Sequence, residues 1–513
     1  MLSMNRLKFL VLTLLLAVPW FSWSQDFVDV SIDSEITRVQ PMTGIVFWPT
    51  NSQIETDIIA LEYSYMLYED VVIGQDTYDW NPVEELLNEM SSRGHQAILR
   101  FRFSYPGYTT SVPQYIKDLP DYNETMGLSE GHETWFPDWT HPELQRFTLA
   151  FYEEYAKRYD NDPRLAFVQT GFGLWAEYHI YDGPFVLGET FPSKEFQAGF
   201  LQHLDTVFQK THWSISIDAA SSTYSPFSEN EELLDLRFGL FDDSFMHAGH
   251  AGYNTNSWNF FDRERYQTNP AGGEFSYYTT YDQQNVLNEH IGAHGIPFEE
   301  FVEDFHMSYI NGNDQSRYQS MERIKEASMY MGYRYKIVSF KTANDTSVVT
   351  VKNVGVAPIY YDAYLAVNDI RSATGLIGLQ PDEQMEVGIS AGGDGATLTI
   401  ESDRLLPGQV IEYYGTENDP YVYVRPEVTG VKKKVSGNSI SINSHTDRYE
   451  LRSPTANGFT ELAVVDLNGR IIHRVSQDLS TQQLEIDKAV FSSYPSGLYI
   501  FKTNIGTAKV FVD

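Results

Sequence analysis

From Phe27 to Gly332, short apolar runs alternate with longer stretches in which apolar residues recur at helical spacing. Eight runs have the length and residue types of strands: GIVFW (Gly44–Trp48), LEYSYMLY (Leu61–Tyr68), QAILRFRF (Gln96–Phe103), LAFVQTGFGLW (Leu165–Trp175), SISID (Ser214–Asp218), FGLFDDSF (Phe238–Phe245), GGEFSYY (Gly272–Tyr278) and FHMSYI (Phe305–Ile310). Between them, PVEELLNEMSSRG, HPELQRFTLAFYEEYAKRY, FQAGFLQHLDTVFQK and the stretch Arg317–Tyr330 carry the helical period. This alternation predicts an α/β fold, a (β/α)8 TIM-like barrel over residues 26–333. The competing arrangement, a doubly wound open sheet, usually announces a Gly-rich phosphate turn after its first strand, and this sequence has none.

After Gly332 the period changes to two. YRYKIVSFKTANDTSVVTVKNVGVAPIYYDAYLAV and the residues from there to Val424 predict a β-sandwich over residues 334–425. Residues 426–513 predict a further small all-β domain, with Asn468-Gly469 as a hairpin turn inside ELAVVDLNGRIIHRV.

Composition narrows the setting. The chain has 513 residues, no cysteine and a formal charge of -34. Disulfides are thereby excluded, and the acidity argues against nucleic-acid or anionic-membrane partners, which select clustered Lys and Arg. At the N-terminus, Arg6 and Lys8 precede an apolar run from Phe9 to Trp20. That run is shorter than the roughly 20 residues a membrane span needs, so residues 1–25 are expected to be a cleaved secretory signal, leaving no membrane span.

In a barrel of this kind the reacting groups sit at the C-terminal strand ends. Glu177 follows the fourth predicted strand and Glu274 lies in the seventh, so the fold would bring both carboxylates to one mouth. Trp175, Tyr178 and Tyr277 are placed to lower the polarity around them. Arg100 and Arg102 alternate with Leu99, Phe101 and Phe103 and so share one strand face. From inside the barrel they would fix a carboxylate or grip a uronate or sulfate group; a structural ion pair is the plainer alternative. Of Asp242 and Asp243 only one can face inward, and Asp243 is taken as the substrate-side residue.

His179, His247 and His306 are expected to hydrogen-bond sugar hydroxyls or the glutamates. With His250 they also invite a metal reading, but their spacing matches no zinc pattern, and neither a metal nor another cofactor is called for. Trp48 closes the first strand, while Trp135, Trp139 and Trp258 fall in polar loops. Aromatic faces there would stack on sugar rings, although loop aromatics also plug small cores. The long Tyr105–Thr140 connection is expected to shape the cleft.

Three resemblances add to this. VVDLNGRII (Val464–Ile472), SGLYIFK (Ser496–Lys502) and the terminal Lys509–Asp513 strand resemble the C-terminal sorting domain of type IX secretion substrates of Bacteroidetes. That resemblance implies the type IX machinery as a partner and a secreted or cell-surface location. MGYRYKI (Met331–Ile337) with VKNVGVAPIYYDAYLAV (Val351–Val367) resembles the DUF4832 family. YDWNPVEELLNEMSSRGHQAILR (Tyr78–Arg100) and YAKRYDNDPRLAFVQTGFGLWAEYH (Tyr155–His179) resemble clan A glycoside-hydrolase barrels. This last likeness implies Glu177 as acid/base, Glu274 as nucleophile and a carbohydrate substrate. One departure is that the usual Asn-Glu pair is Ala176-Glu177 here.

The expectation is thus a secreted glycoside hydrolase that cleaves a polysaccharide or oligosaccharide with retention. The alternative is a non-catalytic glycan-binding protein on the same scaffold. The sequence has no G-x-S-x-G elbow, H-E-x-x-H motif or cysteine nucleophile to favour an esterase or peptidase.

Overall fold

A computed structural model describes residues 26–289 and 292–424, and beyond these residues 441–444, 448–452, 462–465, 471–475, 483–491, 497–503 and 507–512. The expected signal segment and the Asn468-Gly469 turn lie outside the described residues.

Eight parallel strands close into a barrel: β1 (Gly44–Phe47), β2 (Leu61–Leu67), β3 (Gln96–Arg102), β4 (Leu165–Gln169), β5 (His212–Ser216), β6 (Gly239–Phe245), β7 (Ala271–Phe275) and β8 (Met307–Asn311). Each pairs with its sequence neighbour, and β8 returns to β1 through Tyr309 opposite Gly44 and Asn311 opposite Val46. Every predicted run overlaps one of these strands, and closure excludes the open sheet. The helices Asn81–Ser92, Pro142–Tyr159, Lys194–Val207 and Met321–Tyr330 match the four helical patterns. Pro142–Tyr159 buries Leu144, Phe147, Phe151, Tyr155 and Tyr159 on one stripe, which is why its i, i+3, i+4 period is visible in the sequence.

The two ends of the barrel differ. At the N-terminal strand ends, the sandwich seals the bottom. Its strands include Tyr335–Thr342, Ser347–Asn353 and Gln384–Ile389 in one antiparallel sheet, and Tyr364–Val367, Ile370–Gly375 and Leu398–Glu401 in the other. The short strand Val28–Asp29 also joins the first of these sheets by pairing with Lys341 and Thr342. Val46, Leu61, Tyr63, Ile98, Phe167 and Tyr309 inside the barrel belong to one apolar cluster with Ile337, Val349, Tyr361 and Leu365 of the sandwich. Polar ties complete the seal. The buried Arg404 donates to the Leu165 carbonyl at 2.5 Å, the Tyr361 hydroxyl donates to the Ala166 carbonyl, and a His212 ring nitrogen meets the Tyr360 carbonyl at 3.0 Å.

His306 belongs to this sealed end, which corrects its expected role. It caps the helix Phe298–Phe305 in the left-handed conformation, ahead of β8, stacks on Tyr266 at 3.5 Å and bonds the Val356 carbonyl at 2.6 Å. The predicted strand begins two residues early and so carries His306 to the wrong mouth.

Residues 426–513 form a separate compact unit. In it, Ser441–Ser444, Arg448–Arg452 and Gln483–Asp487 make one antiparallel sheet. Leu462–Val465 pairs with Ile471–Val475 and with Gly497–Thr503, which in turn pairs with Thr507–Val512. Tyr449, Leu462, Ile486 and Phe501 lie in its core.

Because barrel and sandwich share one core, a chain cut after residue 333 should not give a soluble, cooperatively melting barrel, whereas residues 26–425 should. Expression of both and a thermal melt would check this; a cooperative melt from the shorter chain would contradict it.

Candidate active site

The open end of the barrel is built around Arg100. Alternation along β3 turns it inward, where it is 2 % exposed. Its Nε and Nη2 donate to Gln169 Oε1 at 2.9 and 2.5 Å, Nη1 donates to the Trp175 carbonyl at 3.2 Å, and Nη1 and Nη2 meet the two oxygens of Asp243 at 3.3 and 3.2 Å. Its flat face lies 4.0 Å from the Phe241 ring centroid. A guanidinium so enclosed keeps its charge because burial is outweighed by Asp243 and its neighbours, which hold it well above its ordinary value.

Asp243 faces inward, as alternation allows. Its neighbour Asp242 points out, and Asn254 and the Trp258 indole bind it at 2.9 and 3.3 Å. Arg100 thus makes the plainer ion pair, with Asp243 as its partner, and also stands 3.8 Å from the Glu177 carboxylate.

Glu177 reaches this centre by an unexpected route. Strand β4 ends at Gln169, not Trp175, and residues 170–177 fold back over it. Gly173 donates to the Glu177 carbonyl at 2.8 Å, Leu174 to His179 at 3.1 Å, and Trp175 to the Ser104 carbonyl beyond β3 at 3.2 Å. Gly173 is required here, since a Cβ on it would stand 1.9 Å from the His179 carbonyl oxygen. Trp175 and Ala176 both take left-handed φ values, 55° and 57°, to turn the chain. The carboxylate of Glu177 ends 3.8 Å from Arg100 Nη1 and 3.0 Å from His179 Nε2, and the residue is 7 % exposed. Burial first and the charge of Asp243 second push its carboxyl well above the usual range, against the pull of His179 and Arg100. Burial disfavours a charge on His179, but Glu177 and Asp218 outweigh it and bring the imidazole up to about 10.

Glu274 stands near the end of β7, opposite Asn311 on β8, whose amide donates to it at 3.2 Å. It is raised from 4.5 to about 8 by burial and by Asp243, with Arg100 and Asn311 opposing. The preceding Gly272 serves the chain: a Cβ on it would meet the Tyr309 ring at 2.2 Å. Asp243 thus acts on both glutamates and Arg100 offsets both. Gln169 and Asn311 at strand ends, Asp218 just beyond β5 and Tyr309 in the middle of β8 also belong to the site; of these only Asp218, at the end of a predicted run, is open to the rule that finds Glu177.

Aromatics rim the mouth. Trp48 packs edge-on against Tyr63 and Tyr65 at 5.3 and 5.5 Å, and Trp175 stacks on Tyr181 at 5.9 Å. The Tyr105–Thr140 connection folds into a helical turn and a hairpin, Thr125–Ser129 with His132–Phe136. Its half-buried Trp135 is fixed there by the Tyr108 and Ser104 contacts. Tyr277 is 49 % exposed, and its hydroxyl is raised by burial and by the charge of Glu274. His247 bonds Asp282 at 2.8 Å and stacks on Tyr278, whose hydroxyl in turn feels Glu177.

Tyr178 is a correction. It is fully buried among Phe172 and Phe191, because the fold-back loop sends alternate residues outward to the helices. Trp139 and Trp258 are core residues too, packed on Phe103 and Phe305.

Among the described residues, Glu177, His179 and Asp218 could hold a cation, their ligand atoms lying within 4.8 Å of one another. The buried Nδ1 of His179, however, has no hydrogen-bond partner, whereas a metal-bound imidazole is normally oriented through that second nitrogen. The hydrogen bond to Glu177 accounts for the ring without an ion.

No family model matches the sequence, and no curated protein matches it. Solved structures of similar shape include the catalytic domain of β-amylase from Paenibacillus polymyxa (9% identity, 56% of this chain and 99% of that one, TM-score 0.36). Another is a GH5-4 broad-specificity endoglucanase from an uncultured bacterium (10% identity, 56% and 85%, TM-score 0.33). A glucosidase from Croceicoccus marinus aligns at 8% identity over 90% of this chain and 97% of its own, with a TM-score of 0.32. Superpositions this loose establish no kinship; the barrel itself is established by its own strand pairing.

The raised carboxyl of Glu274 makes a stability prediction. Below its ordinary 4.5 it is neutral in both the folded and unfolded chain; between 4.5 and about 8 the unfolded chain ionises and the folded one resists. Stability linked to this group is therefore lost as pH rises across that window. Glu274→Gln should melt higher than wild type at pH 8, with the gain shrinking toward pH 4.5. A gain independent of pH would contradict the assignment.

Proposed function

We propose that this protein is a glycoside hydrolase that cleaves oligosaccharides or polysaccharides with retention, Glu177 acting as acid/base and Glu274 as nucleophile. The observation that carries this reading is that both glutamates reach the same barrel mouth, where both feel the Arg100–Asp243 pair and each has its carboxyl raised. Glycoside cleavage needs one proton donor at the leaving oxygen and one carboxylate at the anomeric carbon. Burial and the charge of Asp243 raise Glu177 toward the protonated form that a proton donor needs, and His179 at 3.0 Å is within reach of the carboxylate left after donation. Arg100 and Asn311 oppose the rise at Glu274 and so favour the ionised form that a nucleophile needs. Trp48, Trp135, Trp175 and Tyr277 supply rim faces suited to pyranose rings. With Ala176 in place of an asparagine, a contact to the sugar 2-hydroxyl must come from another residue.

The wider setting belongs to the same proposal. A cleaved segment 1–25 and a sorting unit at 426–513 would export the chain through the type IX machinery to the medium or cell surface. Among the described residues, no helix is long and apolar enough to cross a membrane. The resemblance to the DUF4832 family rests on the quoted sequence segments.

The test is turnover on a panel of plant and algal polysaccharides. Glu177→Gln and Glu274→Gln should each lose at least about 100-fold in kcat while retaining binding, and proton NMR should show retained anomeric configuration in the first product. For wild type, kcat/KM should climb through pH about 8 as Glu274 sheds its proton. Binding without turnover in wild type would favour the glycan-binding alternative, and an inverted product would remove Glu274 as nucleophile.

A further inference from the structure

We propose that Arg102 is the recognition group for an anionic substituent on the sugar, a uronate carboxylate or a sulfate ester, held at the rim among Tyr65, Tyr105 and Tyr108. The inference rests on the reading of this mouth as a carbohydrate site and names the class of carbohydrate.

Arg102 ends β3 and shares its inward face with Arg100. The two arginines are treated in opposite ways by the fold. Arg100 is saturated, with Gln169, Asp243 and the Trp175 carbonyl taking up its donors. Arg102 lies among Tyr65, Tyr105 and Tyr108, with its guanidinium carbon 5.9, 4.6 and 5.8 Å from the three ring centroids. Among the described residues no carboxylate pairs with it and no acceptor meets its donors, and its Nε is buried without a hydrogen-bond partner. Glu69, whose charge reaches it, is engaged by Lys117 at 3.3 Å.

A half-buried cation with unmet donors is costly, and burial does lower its affinity for the proton. The three rings orient the group and compensate part of that cost through their π faces. They leave the planar fork free for a planar or tetrahedral oxyanion. The location fits catalysis, because Tyr65 and Tyr105 also feel the charge of Glu274. The exposed Tyr108 borders the guanidinium on the solvent side, as an entry for a substituent requires.

The experiment uses the full chain carrying Glu274→Gln, so that binding is read without turnover. Calorimetry would compare matched probes: alginate- and pectin-derived oligosaccharides against their carboxyl-reduced twins, and carrageenan- and fucoidan-derived ones against their desulfated twins. In one arm the charged form should bind about tenfold or more tighter than its twin, as expected for a charge-assisted pair. The arm that responds separates carboxylate from sulfate. Adding Arg102→Gln should erase the preference while leaving the neutral twin's affinity unchanged, and Arg102→Lys, a check on folding, should restore only part of it. Charged forms binding no tighter than their twins in both arms would overturn the proposal, as would a preference that survives Arg102→Gln. A preference that depends on Arg102 in a protein that cleaves nothing would refute the hydrolase reading alone; turnover confined to neutral glycans would refute this one alone.

Discussion

The open end of this barrel depends on one buried ion pair. Arg100 from β3 and Asp243 from β6 meet through Nη1 and Nη2 of the guanidinium and both carboxylate oxygens. Removing either partner would leave a buried charge without its counter-ion, a loss of about 3–5 kcal/mol in comparable cases. The pair governs more than stability. Asp243 is the second-largest cause, after burial, of the raised carboxyls of both glutamates, and Arg100 opposes it at both. The same guanidinium holds the Trp175 carbonyl and so fixes the loop that delivers Glu177. Charge state and loop position therefore have a common origin.

The rest of the fold directs access to that centre. The sandwich shares its apolar core with the lower half of the barrel, and Arg404 and Tyr361 take up backbone carbonyls at the bottom of β4. With the lower end filled, the buried carboxylates communicate with solvent through the upper end, where Trp48, Trp135, Trp175 and Tyr277 stand. Several acidic groups crowd that end. Their desolvation is costly and is compensated locally by Arg100, His179 and Asn311.

Much of the barrel is legible in the sequence, for a physical reason. Strands buried on both faces are short apolar runs, and helices buried on one stripe keep a period of 3.6, so the eight strands and four of the helices announce themselves. The end of β4 does not. Phe172, Leu174 and Trp175 are apolar because the fold-back loop is itself packed, and an apolar loop has the same composition as a strand. The same ambiguity puts Tyr178 at the site when its ring lies in the core, and a two-residue offset at the start of β8 misplaces His306. The acidic pair is found because carboxylates stand out at strand ends, whereas Gln169, Tyr309 and Asn311 carry no charge and pass unnoticed. Asp218 ends the fifth predicted run and is accessible to the same rule as Glu177. Alternation does show that Arg100 shares a face with Arg102 and that only one of Asp242 and Asp243 can face inward; the structure makes Arg100 and Asp243 the inward ones. That each is the other's partner is a matter of the barrel's closure, which local pattern does not encode.

A hydrolase at this mouth requires Glu177 and Glu274 to address one sugar from opposite sides. A crystal structure of Glu274→Gln soaked with an oligosaccharide from the responding substrate would examine that requirement without an intermediate step. The expected result is a glycosidic oxygen against the Glu177 carboxyl and the adjoining anomeric carbon facing the side chain at position 274. A sugar bound on the sandwich, or one whose anomeric carbon lies away from position 274, would contradict it.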